Sequence, residues 1–196
     1  MPTPSIAAVV LAAGASRRLG EPKQLLRVNG ESLLRHSVRV AIEAGCSPVI
    51  VVLGAHAERL LPELAGLQTS IIHNSDWQQG MSSSVRAGVS AAKQAEDVLL
   101  LVCDQPGISA AALHHLITAH IHAGSPITAS SYGSTLGVPA IFAASLFNDL
   151  LRLEGDQGAR KVIAAHRDHI TIVNFPEGAF DVDTPEDAKR LKHLRP

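Results

Sequence analysis

The sequence Ile6-Ala7-Ala8-Val9-Val10-Leu11-Ala12-Ala13 is apolar at every position, as expected for a strand buried on both faces of a parallel sheet. The run is too short to cross a bilayer, and no basic segment of an export signal precedes it. A glycine-containing loop follows directly at residues 14–20. The stretch therefore predicts a buried strand that ends in a loop, the place where open α/β sheets bind their ligands.

Outside this run, short apolar segments alternate with helical patterns along the whole chain. The strand candidates are 48–53, 70–73, 97–102 and 170–173, and the helix candidates are 32–44, 57–64, 81–95, 110–123, 144–153, 159–165 and a last helix opened by Thr184-Pro185. Two strand-like pieces, 127–131 and 138–142, flank a turn-rich segment and suggest a hairpin. We expect an α/β fold: a three-layer Rossmann-like sandwich with a mostly parallel sheet and a small hairpin excursion.

Composition and charge limit the classes of partner. The chain of 196 residues is 46% hydrophobic and 18% charged, which suits one globular domain over 1–196. With a net charge of -1, the chain has no excess of positive charge to attract nucleic acid or an anionic membrane. We therefore expect a small-molecule partner. Two cysteines, Cys46 and Cys103, are too few for a secreted disulfide framework and favour a reduced, cytoplasmic protein.

The first candidate site is the loop after the first strand. Its glycines let backbone amides approach an anion, and Arg18 and Lys23 can neutralise the charge of a triphosphate. The spacing is neither the dinucleotide fingerprint Gly-x-Gly-x-x-Gly nor the Walker A loop. The alternative interpretation is an ordinary glycine-rich turn with solvated basic residues.

Carboxylates at two other strand ends predict a metal site. Asp104 follows an unbroken apolar strand, where Mg²⁺ commonly takes one or two carboxylates together with substrate phosphates. Asp181 and Asp183 are spaced to face the same way, and either could be the second ligand, with Asp183 favoured. The alternative for each is a helix-capping or turn aspartate.

A hydroxyl-rich helix start supplies candidate contacts to a nucleotide. Ser82 and Ser83 could hold a base edge or a ribose through their hydroxyls and the helix amides. Considered alone, serines at such a position are more often plain N-cap and first-turn residues.

Taken together, these segments resemble the nucleotidyltransferases of the molybdenum cofactor type, the MobA-like NTP transferases. The opening match is Leu11-Ala12-Ala13-Gly14-Ala15-Ser16-Arg17-Arg18-Leu19-Gly20. Further matches, in chain order, are Pro22-Lys23-Gln24-Leu25-Leu26, Asn74, Trp77, Gly80-Met81-Ser82-Ser83-Ser84, Asp104-Gln105-Pro106, Gly137-Val138-Pro139, Gly155-Asp156-Gln157-Gly158-Ala159-Arg160 and Asp183-Thr184-Pro185-Glu186-Asp187. The resemblance covers nearly the whole chain and implies a fold of the nucleotide-diphospho-sugar transferase type.

The resemblance implies a Mg²⁺-dependent, or Mn²⁺-dependent, attack of an acceptor phosphate on the α-phosphorus of an NTP. Arg18, Lys23 and Asp104 would be catalytic and would contact the nucleotide, with Asp104 and Asp183 on the metal. Leu11, Ala12, Ala13 and Gly14 would line the base pocket, joined by Ser82 and Ser83, and Gly137, Pro139, Asp156 and Arg160 would bind the acceptor. The Ala-Ala pair, in place of Gly-Gly in guanylyl-transferring relatives, suggests CTP. The implied acceptor is molybdopterin or a similar phosphorylated small molecule, and a molybdoenzyme is the implied partner.

Three other functions remain open from the sequence. Val138 stands where His or Asn is common in the family, which leaves room for transfer of another nucleotide to a sugar or polyol phosphate. An NAD(P)-dependent oxidoreductase would use the same fold but lacks the glycine fingerprint here. A non-catalytic cofactor-binding protein would keep the fold without releasing pyrophosphate.

Overall fold

A seven-stranded sheet forms the middle layer of the molecule in the computed structural model, which describes residues 5–191. Its strands are β1 (Ile6–Ala12), β4 (Val49–Leu53), β5 (Ser70–His73), β6 (Asp97–Val102), β7 (Ile127–Tyr132), β8 (Thr135–Ala143) and β9 (Ile170–Asn174). A separate two-stranded sheet pairs β2 (Arg27–Val28) with β3 (Glu31–Ser32). The helices are α1 (Leu33–Glu43), α2 (Ala57–Leu60), α3 (Met81–Ala91), α4 (Ala110–Ala123), α5 (Phe147–Leu151), α6 (Arg160–Ala165) and α7 (Pro185–Leu191).

Alternate side chains of the central strand β1 enter two different cores. Ala8 and Val10 belong to the core that α1 and α4 cover, whereas Ala7 and Val9 belong to the core that α3, α5 and α6 cover. Each face of the sheet is therefore apolar, and the predicted three-layer sandwich is confirmed. Helix α3 lies close to the sheet because Gly88 has no side chain: a Cβ there would be 2.3 Å from Val9 Cγ1.

The strand order is β5-β4-β1-β6-β8-β7-β9, and every neighbouring pair is parallel except those that involve β8. The expected mostly parallel sheet with an antiparallel hairpin is thus confirmed. The hairpin β7–β8 is built into the sheet, since β8 lies between β6 and β7. Because β8 runs antiparallel to β6, the first residues of β8 lie at the edge where the other strands end, beside the carboxyl end of β6.

The outer elements differ from the sequence prediction in length. The helix expected over 144–153 is a 3-10 turn followed by the short α5, and the helix expected over 57–64 is α2 followed by a 3-10 turn that contains Pro62. Proline lacks the amide that a continuing α-helix would need, which accounts for the second change. No helix within residues 5–191 is long and apolar enough to cross a membrane.

Candidate active site at the carboxyl edge of the sheet

The loop after β1 exposes a row of backbone amides. It turns at Ser16, whose φ of +52° is left-handed and whose carbonyl accepts the amides of Leu19 and Gly20 at 3.1 and 3.0 Å. The amides of residues 14–18 donate no hydrogen bond to any other part of the chain that the structure describes. Unpaired amides that follow one another in a tight loop form a binding place for anions.

Gln24 holds this loop against the end of β1. The side chain is buried, and its Nε2 donates to the carbonyls of Ala12 at 3.0 Å and Gly14 at 2.8 Å. The Lys23 amide also donates to Ser16 Oγ at 3.1 Å. Gln24 was not predicted as a site residue. Its place in a motif that matches the family was the signal that could have identified it.

Two cations and two carboxylates meet where the loop passes the ends of β1 and β6. Lys23 Nζ donates to Asp104 Oδ2 and, at 2.8 Å, to Asp183 Oδ1. Arg18 Nη2 donates to the other oxygen of Asp183 at 2.7 Å. Asp181, the other candidate ligand, is not among the residues that face the cavity described below.

The ion pairs favour the charged forms of Lys23 and Asp183. Burial by itself would lower the pKa of Lys23, but Asp104 and Asp183 together raise the pKa above its ordinary value. Burial likewise opposes ionisation of Asp183, yet Lys23 and Arg18 hold the pKa of this carboxyl below its usual range.

Close packing of two loops brings Asp183 to Asp104. The Val182 amide donates to the Asp104 carbonyl at 2.9 Å, and the buried Gln105 donates from Nε2 to the Gly178 carbonyl at 3.1 Å. A Cβ on Gly107 would lie 2.5 Å from the Glu177 carbonyl oxygen, so only glycine permits this approach.

Helix α7 is capped without using the Asp183 side chain. Thr184 Oγ1 accepts the amide of Asp187 at 3.2 Å, and Asp187 Oδ2 accepts the amide of Thr184 at 3.0 Å, which forms a capping box. The capping alternative for Asp183 is therefore excluded, and its carboxylate faces Lys23 and Arg18 instead.

The carboxylate pair has the donor set that a hard divalent cation uses. Asp104 Oδ1 is buried and has no hydrogen-bond partner within residues 5–191, so this oxygen is available to an ion. No group of three or more His, Cys, Asp or Glu side chains suited to a metal occurs in this range. Two carboxylates completed by water and substrate phosphate are typical of Mg²⁺ sites, and the residues present fit such an ion.

A cavity of about 460 Å³ opens beside this cluster and contains most of the predicted site residues. Those that line it are Leu11, Ala12, Ala13, Gly14, Arg18, Lys23, Asp104, Asp156 and Asp183. Trp77, Met81 and Ser84 also line it; the sequence placed them in the matching motifs, but only Ser82 and Ser83 of that segment were predicted as nucleotide contacts. Because they come from the start of α3 and the turn before it, their position depends on how α3 packs across the sheet.

Ser82 and Ser83 face away from the cavity. Ser83 Oγ donates to the Gly80 carbonyl at 2.9 Å and accepts from Asn74 at 2.8 Å, while Ser82 Oγ accepts from Arg86 at 3.1 Å. Both serines are buried, and of the three serines at this helix start only Ser84 lines the cavity. Their side chains stabilise the start of α3.

The remaining acceptor candidates form a separate group at the same edge of the sheet. Arg160 Nη2 donates to Tyr132 Oη at 3.1 Å, and Tyr132 Oη donates to the Val138 carbonyl at 3.2 Å. Gly137 lies beneath both, since a Cβ there would be 2.3 Å from Tyr132 Oη. Gly137, Pro139 and Arg160 do not line the cavity, whereas Asp156 does.

The parallel sheet, the amide-rich loop and the lysine between two carboxylates are those of a nucleotidyltransferase of the Rossmann-like class. Comparison with family models bears this out: the MobA-like NTP transferase domain matches residues 8–170. The chain belongs to the MobA-like NTP transferase family.

Relatives of known name span nearly the whole chain. A nicotine blue oxidoreductase of Paenarthrobacter nicotinovorans is 32% identical, covering 96% of this chain and 97% of its own length. The purine catabolism protein PucB of Bacillus subtilis is 28% identical over 95% of this chain and 96% of its own. The molybdenum cofactor cytidylyltransferase of Escherichia coli K12 is 25% identical over 93% of both chains.

Solved structures share the fold over the same extent. The protein Rv0371c of Mycobacterium tuberculosis H37Rv superposes with a TM-score of 0.86 at 31% identity, covering 99% of this chain and 100% of its own. A structure of that protein in complex with manganese gives a TM-score of 0.81 at 29% identity, over 97% of this chain and 100% of its own.

Proposed function

We propose that this nucleotidyltransferase transfers CMP from CTP to molybdopterin or a similar phosphorylated small molecule. An oxygen of the acceptor phosphate forms a bond to the α-phosphorus, the bond from that phosphorus to the oxygen of the β-phosphate breaks, and pyrophosphate leaves. The observation that carries the proposal is the lysine between Asp104 and Asp183, next to a loop with unpaired amides.

The residues of the site position phosphates and offset their charge, as such in-line transfers require. The amides of residues 14–18 bind the triphosphate together with Arg18 and Lys23. Asp104 and Asp183 would hold Mg²⁺ or Mn²⁺, which when bound offsets charge on the phosphates. An ionised acceptor phosphate is already a nucleophile, so no general base is needed. Burial raises the pKa of Cys103 to about 12, so its thiol stays protonated and forms no covalent intermediate.

The preference for CTP is supported by a narrow wall at the end of β1. A Cβ on Gly54 would be 2.9 Å from Ala13 Cβ and 2.7 Å from Trp77 Cβ, so the three residues are tightly packed. Ala13 lines the cavity, and its methyl group takes up space that a glycine would leave open. A one-ring pyrimidine fits this wall better than a two-ring purine.

The acceptor phosphate is assigned to the group around Arg160. Its guanidinium is exposed and contacts no carboxylate within residues 5–191. Gly137, Pro139 and Asp156 would complete this part of the site, between Arg160 and the cavity. A cytoplasmic molybdoenzyme that receives the product is the partner we propose.

One relative bears the name of an oxidoreductase, and this calls for a direct test. In dinucleotide-binding folds the pyrophosphate lies at the start of a helix that follows the first strand directly. Here residues 13–32, with a 3-10 turn and the β2–β3 pair, separate β1 from α1. This connection favours the transferase over NAD(P) chemistry.

The test is release of pyrophosphate in the presence of Mg²⁺ or Mn²⁺ with CTP, GTP, ATP or UTP, each with and without molybdopterin. Release that needs both CTP and molybdopterin is the expected result. Release with another nucleotide, or with a sugar or polyol phosphate as the acceptor, would overturn the assigned substrates. Consumption of NADH or NADPH without pyrophosphate would overturn the transferase, and nucleotide binding without release under all these conditions would indicate a cofactor-binding protein.

A further inference from the structure

The ammonium group of Lys23 lies between the carboxylates of Asp104 and Asp183 and bonds to both. It hydrogen-bonds to Asp104 and lies 2.8 Å from Asp183 Oδ1. The Lys23 side chain is only 17% exposed, whereas Arg18 is 72% exposed and reaches Asp183 alone. The better-buried cation is thus the one that joins the pair.

A divalent cation between the same carboxylates would need an oxygen that Lys23 or Arg18 already holds, because both oxygens of Asp183 are bonded to these cations. Asp104 Oδ1 is unpartnered within residues 5–191, but Asp104 Oδ2 and Asp183 Oδ1 are both bonded to Lys23. An ammonium and a metal ion in contact with one oxygen pair repel each other strongly where water is largely excluded. The two cations are therefore alternatives at this position.

We propose that Lys23 is the counter-ion of the carboxylate pair in the nucleotide-free protein, and that the triphosphate draws it away to admit the divalent cation. This inference rests on the metal role proposed above for Asp104 and Asp183. It follows that the nucleotide-free protein holds the cation weakly. Nucleotide and cation binding are then coupled through one side chain, and by linkage each strengthens the other.

If Lys23 is this counter-ion, removing its charge strengthens Mn²⁺ binding and weakens CTP binding. A lysine that only stabilises the fold would not have both effects. Lys23→Met keeps most of the length of the side chain and removes the charge. Mn²⁺ should bind to this variant about tenfold more tightly than to the natural protein when no nucleotide is present. CTP should bind to it more weakly, because a contact to phosphate is lost.

Mn²⁺ binding is measured without turnover, from the electron paramagnetic resonance signal of the free ion, and CTP binding from the fluorescence of Trp77, the one tryptophan in the sequence. Arg17→Gln is the matched control: Arg17 also lines the cavity, but it forms no ion pair within residues 5–191. Its Mn²⁺ affinity should change by no more than about threefold, the effect of a solvent-screened charge that contacts neither carboxylate. Lys23→Ala repeats the measurement if the methionine variant does not fold.

Unchanged or weaker Mn²⁺ binding by the Lys23 variants would overturn the counter-ion role, as would an equal gain in Arg17→Gln. A double variant, Lys23→Met with Asp104→Asn, separates this failure from that of the proposed metal site. It should lose the tight Mn²⁺ binding of Lys23→Met. Tight binding that survives the loss of Asp104 would instead show that the metal role of Asp104 is wrong.

Discussion

The negative charge of Asp104 can be removed with little change in the shape of its side chain. Asp104→Asn keeps the shape of the side chain and removes the charge that Lys23 and the metal would share. We expect the rate of pyrophosphate release to fall by about 100-fold or more, because the variant stabilises the charge on the reacting phosphates less well. The variant should still fold, because no core packing is lost and Lys23 keeps its bond to Asp183.

Asp181→Asn is the matched control for that variant. It removes the same charge two residues before Asp183, from a side chain that does not line the cavity. Its turnover should stay within about threefold of the natural protein, as for an exposed charge. Full activity in Asp104→Asn, or an equal loss in Asp181→Asn, would contradict the assignment of Asp104 and Asp183.

Gln24 provides a second prediction at the residue scale. Gln24→Leu removes the two donated bonds and leaves the carbonyls of Ala12 and Gly14 without this partner. The free energy of unfolding should fall by about 1–3 kcal/mol, the usual cost of buried acceptors left unpaired. Because the loop amides lose their support, the KM for the nucleotide should rise more than kcat falls. Denaturant unfolding and steady-state kinetics measure the two effects, and an unaltered KM would show that the loop keeps its shape without Gln24.

At the scale of elements, the site depends on the contact between the loop after β6 and the segment before α7. Gly107→Ala would bring a Cβ to 2.5 Å from the Glu177 carbonyl, so the two segments must separate. We expect Asp183 to move away from Asp104, with a loss of Mn²⁺ affinity and of turnover while secondary structure is kept. Circular dichroism together with Mn²⁺ titration tests this, and normal Mn²⁺ binding in a folded variant would show that the spacing of the segments does not matter.

The elements themselves show what a sequence can predict. Strands β1, β4 and β6 were predictable to within a residue, because burial on both faces leaves an unbroken apolar run. The two-residue strands β2 and β3 were not predicted, since such short strands show no periodicity. The short α5 and α2 were predicted as longer helices because their apolar spacing continues into 3-10 turns.

Some residues of the site were predictable from local sequence motifs, and others reach it only through tertiary packing. Arg18, Lys23 and Asp104 belong to motifs whose position after a strand is visible in the sequence. Trp77 and Ser84 reach the cavity only because α3 packs across the sheet, which no local pattern encodes. Ser82 was predicted at the site but faces inward, since one helical turn cannot present all its hydroxyls to one side.

For the whole molecule, the ion pairs determine how stability depends on pH. The pKa of Asp183 is lowered by Lys23 and Arg18 against the effect of burial, and the pKa of Glu31 is lowered chiefly by its hydrogen bond from Arg39. A carboxyl whose pKa is lower in the folded state stabilises the protein fully above its unfolded pKa, about 3.9 for Asp and 4.3 for Glu. That stabilisation is lost as the pH falls through the folded value.

Lys23 acts at the other end of the pH range. Its pKa is raised in the folded protein, so its contribution is complete below the unfolded pKa of about 10.4 and disappears only as the pH rises through the folded value above it. Between these limits the charges of Lys23 and Asp183 change little. The free energy of unfolding should therefore be nearly constant from about pH 5 to 9 as far as these groups are concerned, and should fall below about pH 4.

Asp183→Asn isolates one part of this acid loss. The variant lacks the titrating carboxyl, so the difference in unfolding free energy between it and the natural protein should be constant from about pH 6 to 8 and shrink as the pH falls below about 4. Urea unfolding at each pH measures the difference, and Asp181→Asn, which contacts neither Lys23 nor Arg18, serves as the comparison. A difference for Asp183→Asn that stays constant down to pH 2 would mean that its ion pairs do not hold the carboxyl in the charged form. Lys23 and Arg18 would then not stabilise the ionised form of Asp183, and the counter-ion role of Lys23 would lose this support.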